Sequence, residues 1–172
     1  YCFSFWGEKN MERNKSKIFI SIALATYNGE KYLREQLDSI LSQSIQDFEL
    51  VACDDCSTDS TLKILNEYAE KDFRVKIFTN EKNLGFKKNF EKVISLCSGD
   101  YIALSDQDDI WTENHLQVLL ENIGNNDLVG ANAFLCDEIA KSTGVDLLSC
   151  SKIDFLPNSK DAWFFFLLHS HI

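Results

Sequence analysis

Long apolar runs and clusters of basic residues are both missing from this sequence of 172 residues. The longest apolar cluster, residues 163–168, is too short to span a bilayer, so a membrane-spanning class is not indicated. Lys and Arg total 17 against 27 Asp and Glu, and the net charge of −10 argues against a nucleic-acid binder, which usually presents a basic face. The aromatic segment at residues 1–6 lacks the basic region and the small-residue cleavage site of a signal peptide.

The cysteine pattern lacks the second pair that would complete a zinc site. Of six cysteines, Cys53 and Cys56 have the C-x-x-C spacing, so structural zinc and a redox pair are both disfavoured. Reduced thiols in a cytosolic protein fit this pattern best. The composition, with 45% hydrophobic and 26% charged residues, is typical of one globular domain with a hydrophobic core.

Apolar periodicity predicts alternating strands and helices from Ile18 onward. Ser57 or Thr58 is the candidate cap of the second helix. Regular alternation of strand and helix favours a mostly parallel sheet flanked by helices. The predicted strands are Ile18–Ala25, Phe48–Cys53, Val75–Phe78, Tyr101–Ser105 and Leu128–Phe134, and the predicted helices are Tyr32–Leu41, Leu62–Ala69, Phe86–Cys97 and Trp111–Asn122.

Three carboxylates lie within four positions just after the fourth predicted strand, at Asp106, Asp108 and Asp109. Carboxylates this close repel one another unless a cation neutralises them. Asp oxygens are also ligands that Mg²⁺ and Mn²⁺ prefer, and open α/β sheets bind ligands at the carboxyl ends of their strands. The segment therefore suggests a metal-dependent site for a phosphorylated ligand, and a solvated acidic turn is the alternative.

Two further polar segments follow strands at the same predicted edge of the sheet. Tyr27-Asn28 follows the first strand, where Tyr27 could instead be a core aromatic, and Asp54-Asp55 follows the second, where it could instead cap a helix. A parallel sheet brings both segments and the acidic segment into one crevice. In that crevice an aromatic ring can stack on a nucleobase, and one carboxylate can accept the imide N–H of uracil or thymine. A second carboxylate can accept ribose hydroxyls, and a third can hold a metal that bridges two phosphates.

Four motifs in this order resemble family 2 glycosyltransferases of the GT-A fold, and the resemblance covers residues 18 to about 134. The motifs are Ala25-Thr26-Tyr27-Asn28-Gly29, Asp54-Asp55-Cys56-Ser57-Thr58-Asp59, Asn83-Leu84-Gly85 and Asp106-Gln107-Asp108-Asp109-Ile110-Trp111. The resemblance implies a Rossmann-like GT-A sheet, incomplete at the C-terminus, in an enzyme that moves a sugar from a UDP- or dTDP-sugar to a saccharide acceptor with inversion. Residues 105–111 are similar to bacterial rhamnosyltransferases of surface-polysaccharide synthesis, so dTDP-rhamnose is an expected donor.

The same resemblance implies a role for each matching residue. Asp106 faces the ribose, Asp108 ligates Mg²⁺ or Mn²⁺, Asp55 reads the pyrimidine and Tyr27 stacks on it. Leu84 belongs to the loop near the donor. The donor-binding residues implied in this way are Thr26, Tyr27, Asn28, Asp54, Asp55, Asn83, Gly85, Lys88, Asp106 and Gln107.

The chain departs from the family pattern downstream of its D-x-D element. These enzymes usually place an Asp or Glu base there to deprotonate the acceptor hydroxyl. Because the chain stops at Ile172, we expect the base beyond that residue, and we expect the apolar tail at residues 163–168 to lack partners to pack against. A nucleotide-binding fragment without transfer activity is the alternative. If a base lies within the chain, the first candidates are Glu113, Asp137, Glu138 and Asp146.

Three other classes fit the sequence less well. A Rossmann dehydrogenase needs G-x-G-x-x-G after its first strand, and a sugar-nucleotide pyrophosphorylase is expected to have a Gly- and Arg-rich loop there. Tyr27-Asn28-Gly29 supplies neither. A calcium-binding EF-hand loop starting at Asp106 would need Gly where Trp111 stands.

Three segments are predicted along the chain. Residues 1–17 form a disordered leader, residues 18–137 a nucleotide-sugar-binding half-domain, and residues 138–172 the start of an acceptor-side region. The expected partners are a nucleotide-diphosphate sugar and a saccharide or lipid-linked saccharide acceptor, with no nucleic acid. The expected location is cytoplasmic, and peripheral association of the full-length protein with the inner face of the plasma membrane stays open.

Overall fold

The computed structural model describes residues 18–126, 128–131, 134–136, 142–146 and 165–169. Within these ranges six strands form one sheet in the order β3-β2-β1-β4-β8-β5, and β6 and β7 form a second, antiparallel sheet. The helices in this part of the chain include none that is both long and apolar enough to cross a bilayer. The strands are β1 Ile20–Thr26, β2 Phe48–Asp54, β3 Val75–Thr79, β4 Tyr101–Ser105, β5 Leu128–Ala131, β6 Phe134–Cys136, β7 Ser142–Asp146 and β8 Phe165–His169, and the helices are α1 Leu33–Leu41, α2 Thr61–Ala69, α3 Phe86–Ser95 and α4 His115–Ile123.

Strands β1 and β2, in the middle of the four parallel strands, are buried on both faces, which explains why they read as nearly continuous apolar runs. Every residue of β1 and β2 is buried. Alternate side chains of β1 enter two different cores: Ile22 and Leu24 pack with residues of α1, α2 and α4, whereas Ala23 packs with Val93 of α3. Helices therefore cover both faces of the sheet, and the predicted mostly parallel sheet flanked by helices is confirmed.

The register of the parallel strands places their carboxyl ends along one edge. Thr26 at the end of β1 lies opposite Asp54 of β2, and Asp54 lies opposite Thr79 of β3. On the other side of β1, Ser105 at the end of β4 lies opposite Leu24. The segments that leave β1, β2, β3 and β4 therefore start next to one another, as the sequence predicts for the first, second and fourth strands.

Several element boundaries differ from the predictions, and polar contacts account for the difference at the second helix. The residue that precedes the second helix at its N-cap is Ser60 rather than Ser57 or Thr58, and the helix begins at Thr61. Ser57 instead donates to Asp54, and the Thr58 N–H donates to the Asn28 side chain. In addition, β1 begins at Ile20 rather than residue 18, α3 ends at Ser95 rather than residue 97, and α4 begins at His115 rather than residue 111.

The region after residue 127 departs most from the sequence-based prediction. The strand predicted over 128–134 ends at Ala131, and Phe134–Cys136 pairs with Ser142–Asp146 in the second sheet. The apolar tail was expected to lack partners, and this is wrong for Phe165–His169, because β8 lies between β4 and β5 and is antiparallel to both. The main sheet thus includes residues beyond the predicted boundary at 137. Residues 1–17, Asp137, Glu138 and His171 lie outside the described ranges.

Candidate active site

The loop after β1 presents an aromatic ring at the carboxyl edge of the sheet. Tyr27 is 47% exposed, so its ring is free to stack on a planar ligand and does not belong to the core. Asn28 has a left-handed backbone (φ 49°), which Asn tolerates better than most residues. Its N–H donates to Ser57 Oγ at 2.9 Å, and its Oδ1 accepts the Thr58 N–H at 2.8 Å. The loop is thereby attached to the segment that follows β2.

Asp54 holds the turn after β2 together. Its buried carboxylate accepts hydrogen bonds from Thr26 Oγ1 at 3.0 Å, from the Ser57 N–H at 2.9 Å and from Ser57 Oγ at 2.5 Å. These are the contacts of a structural carboxylate. Thr26 and Asp54 therefore support the two loops, and their contact with a donor stays a prediction.

Asp55 points to the other side of the same turn and holds the loop after β3. One carboxylate oxygen accepts from Asn80 Nδ2 at 2.6 Å and from the Leu84 N–H at 2.8 Å, and the other accepts from the Gly85 N–H at 2.8 Å. The residue is only 2% exposed. Hydrogen bonds to a charged acceptor are stronger than those between neutral groups, so this carboxylate fixes the position of the loop.

The loop itself has a backbone that suits its residues. Asn83 Nδ2 donates to the Asp55 carbonyl at 3.2 Å, and Asn83 Oδ1 accepts the Gly85 N–H at 3.1 Å. Gly85 has φ 80°, a conformation that favours glycine. Lys88 lies on the exposed side of α3 and forms no hydrogen bond or ion pair with the described residues. Asn83 and Gly85 are thus brought to Asp55, whereas Lys88 stays outside this cluster.

A buried amide network beneath Asp55 was missed by the sequence analysis. Asn80 Nδ2 also donates to Asn89 Oδ1 at 3.0 Å, and Asn80 Oδ1 accepts from Lys92 Nζ at 2.6 Å. Asn89 Nδ2 donates to the Cys53 carbonyl at 2.9 Å. The signal that could have found it is the position of Asn80, which directly follows β3 as Asp55 directly follows the β2 strand.

The acidic segment after β4, residues 106–111, carries three carboxyl groups within four positions. Asp108 is exposed, and Asp106 and Asp109 are half-buried. Burial, followed by the charge of Asp108, raises the pKa of Asp106 to about 6. Burial, followed by the charges of Asp106 and Asp108, raises the pKa of Asp109 to about 7. Across the described part of the chain, the ion pairs include none of these three residues.

The donor set of this segment fits a hard divalent cation that is shared with a phosphorylated ligand. Mg²⁺ is usually bound through one or two carboxylates together with substrate phosphates, rather than by a complete protein cage. Asp108 supplies such a carboxylate, and Asp106 lies two positions before it. Among the described residues no group of three His, Cys, Asp or Glu side chains could hold a metal ion by itself.

The acidic segment is held in place by the buried face of α1. Gln36 Nε2 donates to Ser105 Oγ at 2.5 Å, and the Trp111 N–H donates to Ser39 Oγ at 3.1 Å. Trp111 is buried and lies 4.5 Å from the ring of His115, centroid to centroid. Burial lowers the pKa of His115 to about 4, so this imidazole is neutral near pH 7. Helix α1 therefore supports both ends of the segment.

Gln107 connects the acidic segment to the loop after β1. Its Oε1 accepts the Tyr27 N–H at 2.8 Å, and its Nε2 donates to the Tyr27 carbonyl at 3.0 Å. Direct contacts or neighbouring strand ends therefore bring six of the predicted site residues together along the carboxyl edge. They are Tyr27, Asp55, Asn83, Gly85, Asp106 and Gln107.

Comparison with known proteins follows the same motifs. The family model described as "Glycosyl transferase family 2" matches residues 21–148. EpsE of Bacillus subtilis (strain 168), provisionally named a glycosyltransferase, is 37% identical over 69% of this chain and 44% of its own length. TuaG of the same organism, provisionally named a teichuronic acid biosynthesis glycosyltransferase, is 34% identical over 61% of this chain and 42% of its own length. The chain therefore spans less than half of either relative.

A solved structure supports the same assignment. The crystal structure of S. aureus TarS 1-349 in complex with UDP-GlcNAc is 32% identical and covers 64% of this chain and 33% of its own, with a TM-score of 0.59. The mostly parallel sheet flanked by helices matches the GT-A fold of such neighbours. Because the family model covers most of the sequence, the chain belongs to glycosyl transferase family 2.

Proposed function

We propose that this chain forms the donor-binding part of a glycosyltransferase of bacterial cell-surface polysaccharide synthesis. The observation that carries the proposal is the meeting of an exposed aromatic ring, a buried carboxylate and an acidic segment at one sheet edge. The UDP-GlcNAc complex of TarS supports a nucleotide-diphosphate sugar as donor, and the name of TuaG supports a polysaccharide product. Within this proposal the donor is a UDP- or dTDP-sugar, and dTDP-rhamnose is the specific candidate.

The nucleoside of the donor would occupy the crevice between the β1 and β3 loops. Tyr27 offers its exposed ring for stacking on the base, which is worth about 1–3 kcal/mol for an aromatic side chain. A carboxylate has about four lone-pair sites, and three donors already bind Asp55, so one site is left for the imide N–H of a pyrimidine. Asp55 would thus serve the donor site twice, as anchor of the loop and as acceptor for the base.

The diphosphate would face the acidic segment, where Asp108 would hold Mg²⁺ or Mn²⁺. When bound, the cation supplies Lewis-acid stabilisation of the negative charge that develops on the leaving nucleoside diphosphate. Gln36 and Ser39 would keep the carboxylates of the acidic segment in place, because they hydrogen-bond to the start and the end of that segment. Asp106 would accept ribose hydroxyls, and the sugar would be transferred with inversion.

Transfer to an acceptor also requires a general base. A positioned base is worth about 10²–10⁴-fold in rate. Glu113 is exposed and lies between the acidic segment and α4. Asp146 ends β7, and Asp137 and Glu138 lie outside the described residues. We propose that the base is supplied by residues beyond Ile172, in a cytoplasmic enzyme whose acceptor is a saccharide or a lipid-linked saccharide, with any membrane association at the inner face.

Calorimetry with UDP and dTDP tests the donor and the cation together. We expect binding in the presence of Mg²⁺ or Mn²⁺ and strongly reduced binding in a chelator, because the acidic segment repels a bare diphosphate. Asp108→Ala should remove the dependence on metal, and Glu121→Ala, on the exposed side of α4, is the matched control with unchanged binding. Equal affinity with and without chelator would contradict the shared-cation site.

A donor-binding unit without transfer activity is the second candidate, because the chain spans less than half of its relatives. The two candidates differ in the release of nucleoside diphosphate from UDP- or dTDP-sugars. A unit that only binds donor should give at most slow release by water, with no increase when saccharide acceptors are added. Acceptor-dependent release would show that a base lies within the chain, and Glu113, Asp137, Glu138 and Asp146 would be substituted first.

A further inference from the structure

The side chain of Gln107 forms a two-point hydrogen-bonded bridge to the backbone of Tyr27. The amide oxygen accepts the Tyr27 N–H at 2.8 Å, and the amide nitrogen donates to the Tyr27 carbonyl at 3.0 Å. A carboxamide can make both bonds at once because it carries a donor and an acceptor side by side, as the backbone does. Carboxylate and hydroxyl side chains cannot reproduce this pair. The bridge connects segments 80 residues apart in sequence.

The loop after β1 leaves room for this bridge by having glycine at position 29. A Cβ atom on Gly29 would lie 2.4 Å from Gln107 Oε1 and 2.6 Å from Gln107 Cδ, which is closer than real contacts allow. Gly29 is not among the residues with positive φ, so its backbone would accept alanine. The glycine is therefore needed for the space that the Gln107 amide occupies, and even one methyl group would push that amide away from Tyr27.

Gln107 lies between Asp106, which is proposed to face the ribose, and Asp108, which is proposed to bind the cation, and the bridged residue carries the exposed ring. We infer that Gln107 is a positioning residue that holds the Tyr27 ring at a fixed place relative to the acidic segment, so that one donor can reach both. The inference rests on the proposed function, because it is the proposed donor that spans base and diphosphate. Gln107 acts through Tyr27 and does not itself contact the base.

Binding of UDP and of pyrophosphate, each with Mg²⁺, separates this role from a direct contact. Losing two neutral hydrogen bonds should weaken UDP binding by roughly tenfold in Gln107→Ala. Pyrophosphate binding should stay within about twofold, because the acidic segment is held independently by α1. Gln107→Met, of similar length but without hydrogen-bonding groups, should behave like Gln107→Ala. Gln117→Ala, on the exposed face of α4, is the matched control and should leave both affinities unchanged.

Double substitutions test whether Gln107 works through its two neighbours. Gly29→Ala alone should weaken UDP binding about as much as Gln107→Ala, and it should add little when Gln107 is already alanine. Likewise, Gln107→Ala should add little in a Tyr27→Ala background, since the ring to be positioned is gone. Additive losses in either cycle, or an equal loss for pyrophosphate, would overturn the positioning role.

Hydrogen exchange of the Tyr27 amide gives a readout that needs no donor. This N–H should exchange at least tenfold faster in Gln107→Ala and in Gly29→Ala than in the wild-type chain, because its acceptor is lost or displaced. Unchanged exchange would overturn the bridge whatever the affinity for UDP. A different outcome is that the variants exchange faster but the wild-type chain does not bind UDP. That outcome would overturn the proposed donor site and the positioning role that depends on it, and it would leave the bridge itself in place.

Discussion

Replacing Glu49 by Gln should destabilise the fold at neutral pH and have much less effect in acid. Glu49 lies on β2 and is 2% exposed. Its carboxylate accepts hydrogen bonds from Ser21 Oγ at 2.5 Å, from the Ser98 N–H at 2.8 Å and from Lys76 Nζ at 2.5 Å. The residue thus joins β1, β2, β3 and the turn before β4 through one negative charge, and Gln removes that charge while keeping the shape.

The size of the effect follows from the pKa of Glu49. Burial alone would raise this pKa, but the hydrogen bonds from Lys76, Ser21 and Ser98 outweigh burial and lower it from 4.5 to about 2. Because the pKa of Glu49 is lower in the folded protein, its ionised carboxylate stabilises the folded state above pH 4.5. This stabilisation is lost as the pH falls toward 2. At about 1.4 kcal/mol for each pH unit between these values, the charge of Glu49 contributes about 3 kcal/mol to the free energy of unfolding.

Urea unfolding followed by circular dichroism at pH 7, 5, 4 and 3 measures this contribution. The difference between wild type and Glu49→Gln should be about 3 kcal/mol at pH 7 and 5, and it should shrink to less than half by pH 3. Glu67→Gln is the matched control, because Glu67 pairs with Arg34 on the surface and such pairs contribute little. A difference that does not change with pH, or one that is absent at pH 7, would refute the reasoning.

Two further predictions concern the β3 loop and the strand β8. Asp55→Asn replaces one acceptor oxygen with a donor that faces Asn80 or the β3 loop. The Leu84 and Gly85 amides should therefore exchange faster with solvent, and the preference for binding UDP over CDP should fall. Unchanged exchange in both amides would contradict the anchoring role of Asp55. A chain ending at Asp137 lacks β8 and leaves the edge of β4 unpaired, so it should unfold at a lower temperature and scatter more light than the full chain. Equal melting temperatures would argue that β8 adds nothing to the sheet.

The strands and the common edge were predictable because they depend on local patterns. Buried strands read as apolar runs, and polar residues directly after them mark the edge where parallel strands end. The positions of Tyr27, Asp55 and Asp106 at this edge were predicted in this way. Only the structure decides whether Tyr27 lies in the core or at the surface, and it leaves this residue 47% exposed.

The remaining features depend on pairings between distant segments, which a local pattern does not contain. Asp54 and Asp55 are adjacent and chemically identical, yet one holds Ser57 and the other holds the Leu84–Gly85 loop. Asn80 directly follows a strand, but nothing near it in the sequence indicates that the fold buries it against Asn89. The tail was misread for the same reason, because the partners of β8 lie far back in the chain.

The insertion of β8 between β4 and β5 has a consequence for the order of assembly on the ribosome. The four parallel strands β3, β2, β1 and β4 are complete once residue 105 has emerged, but β4 then presents an open edge until Phe165–His169 is synthesised. An open edge of this kind can pair with another chain. During synthesis, the interval between β4 and β8 is therefore the period in which a nascent chain is most exposed to mispairing, and slow translation there should favour aggregates over folded protein.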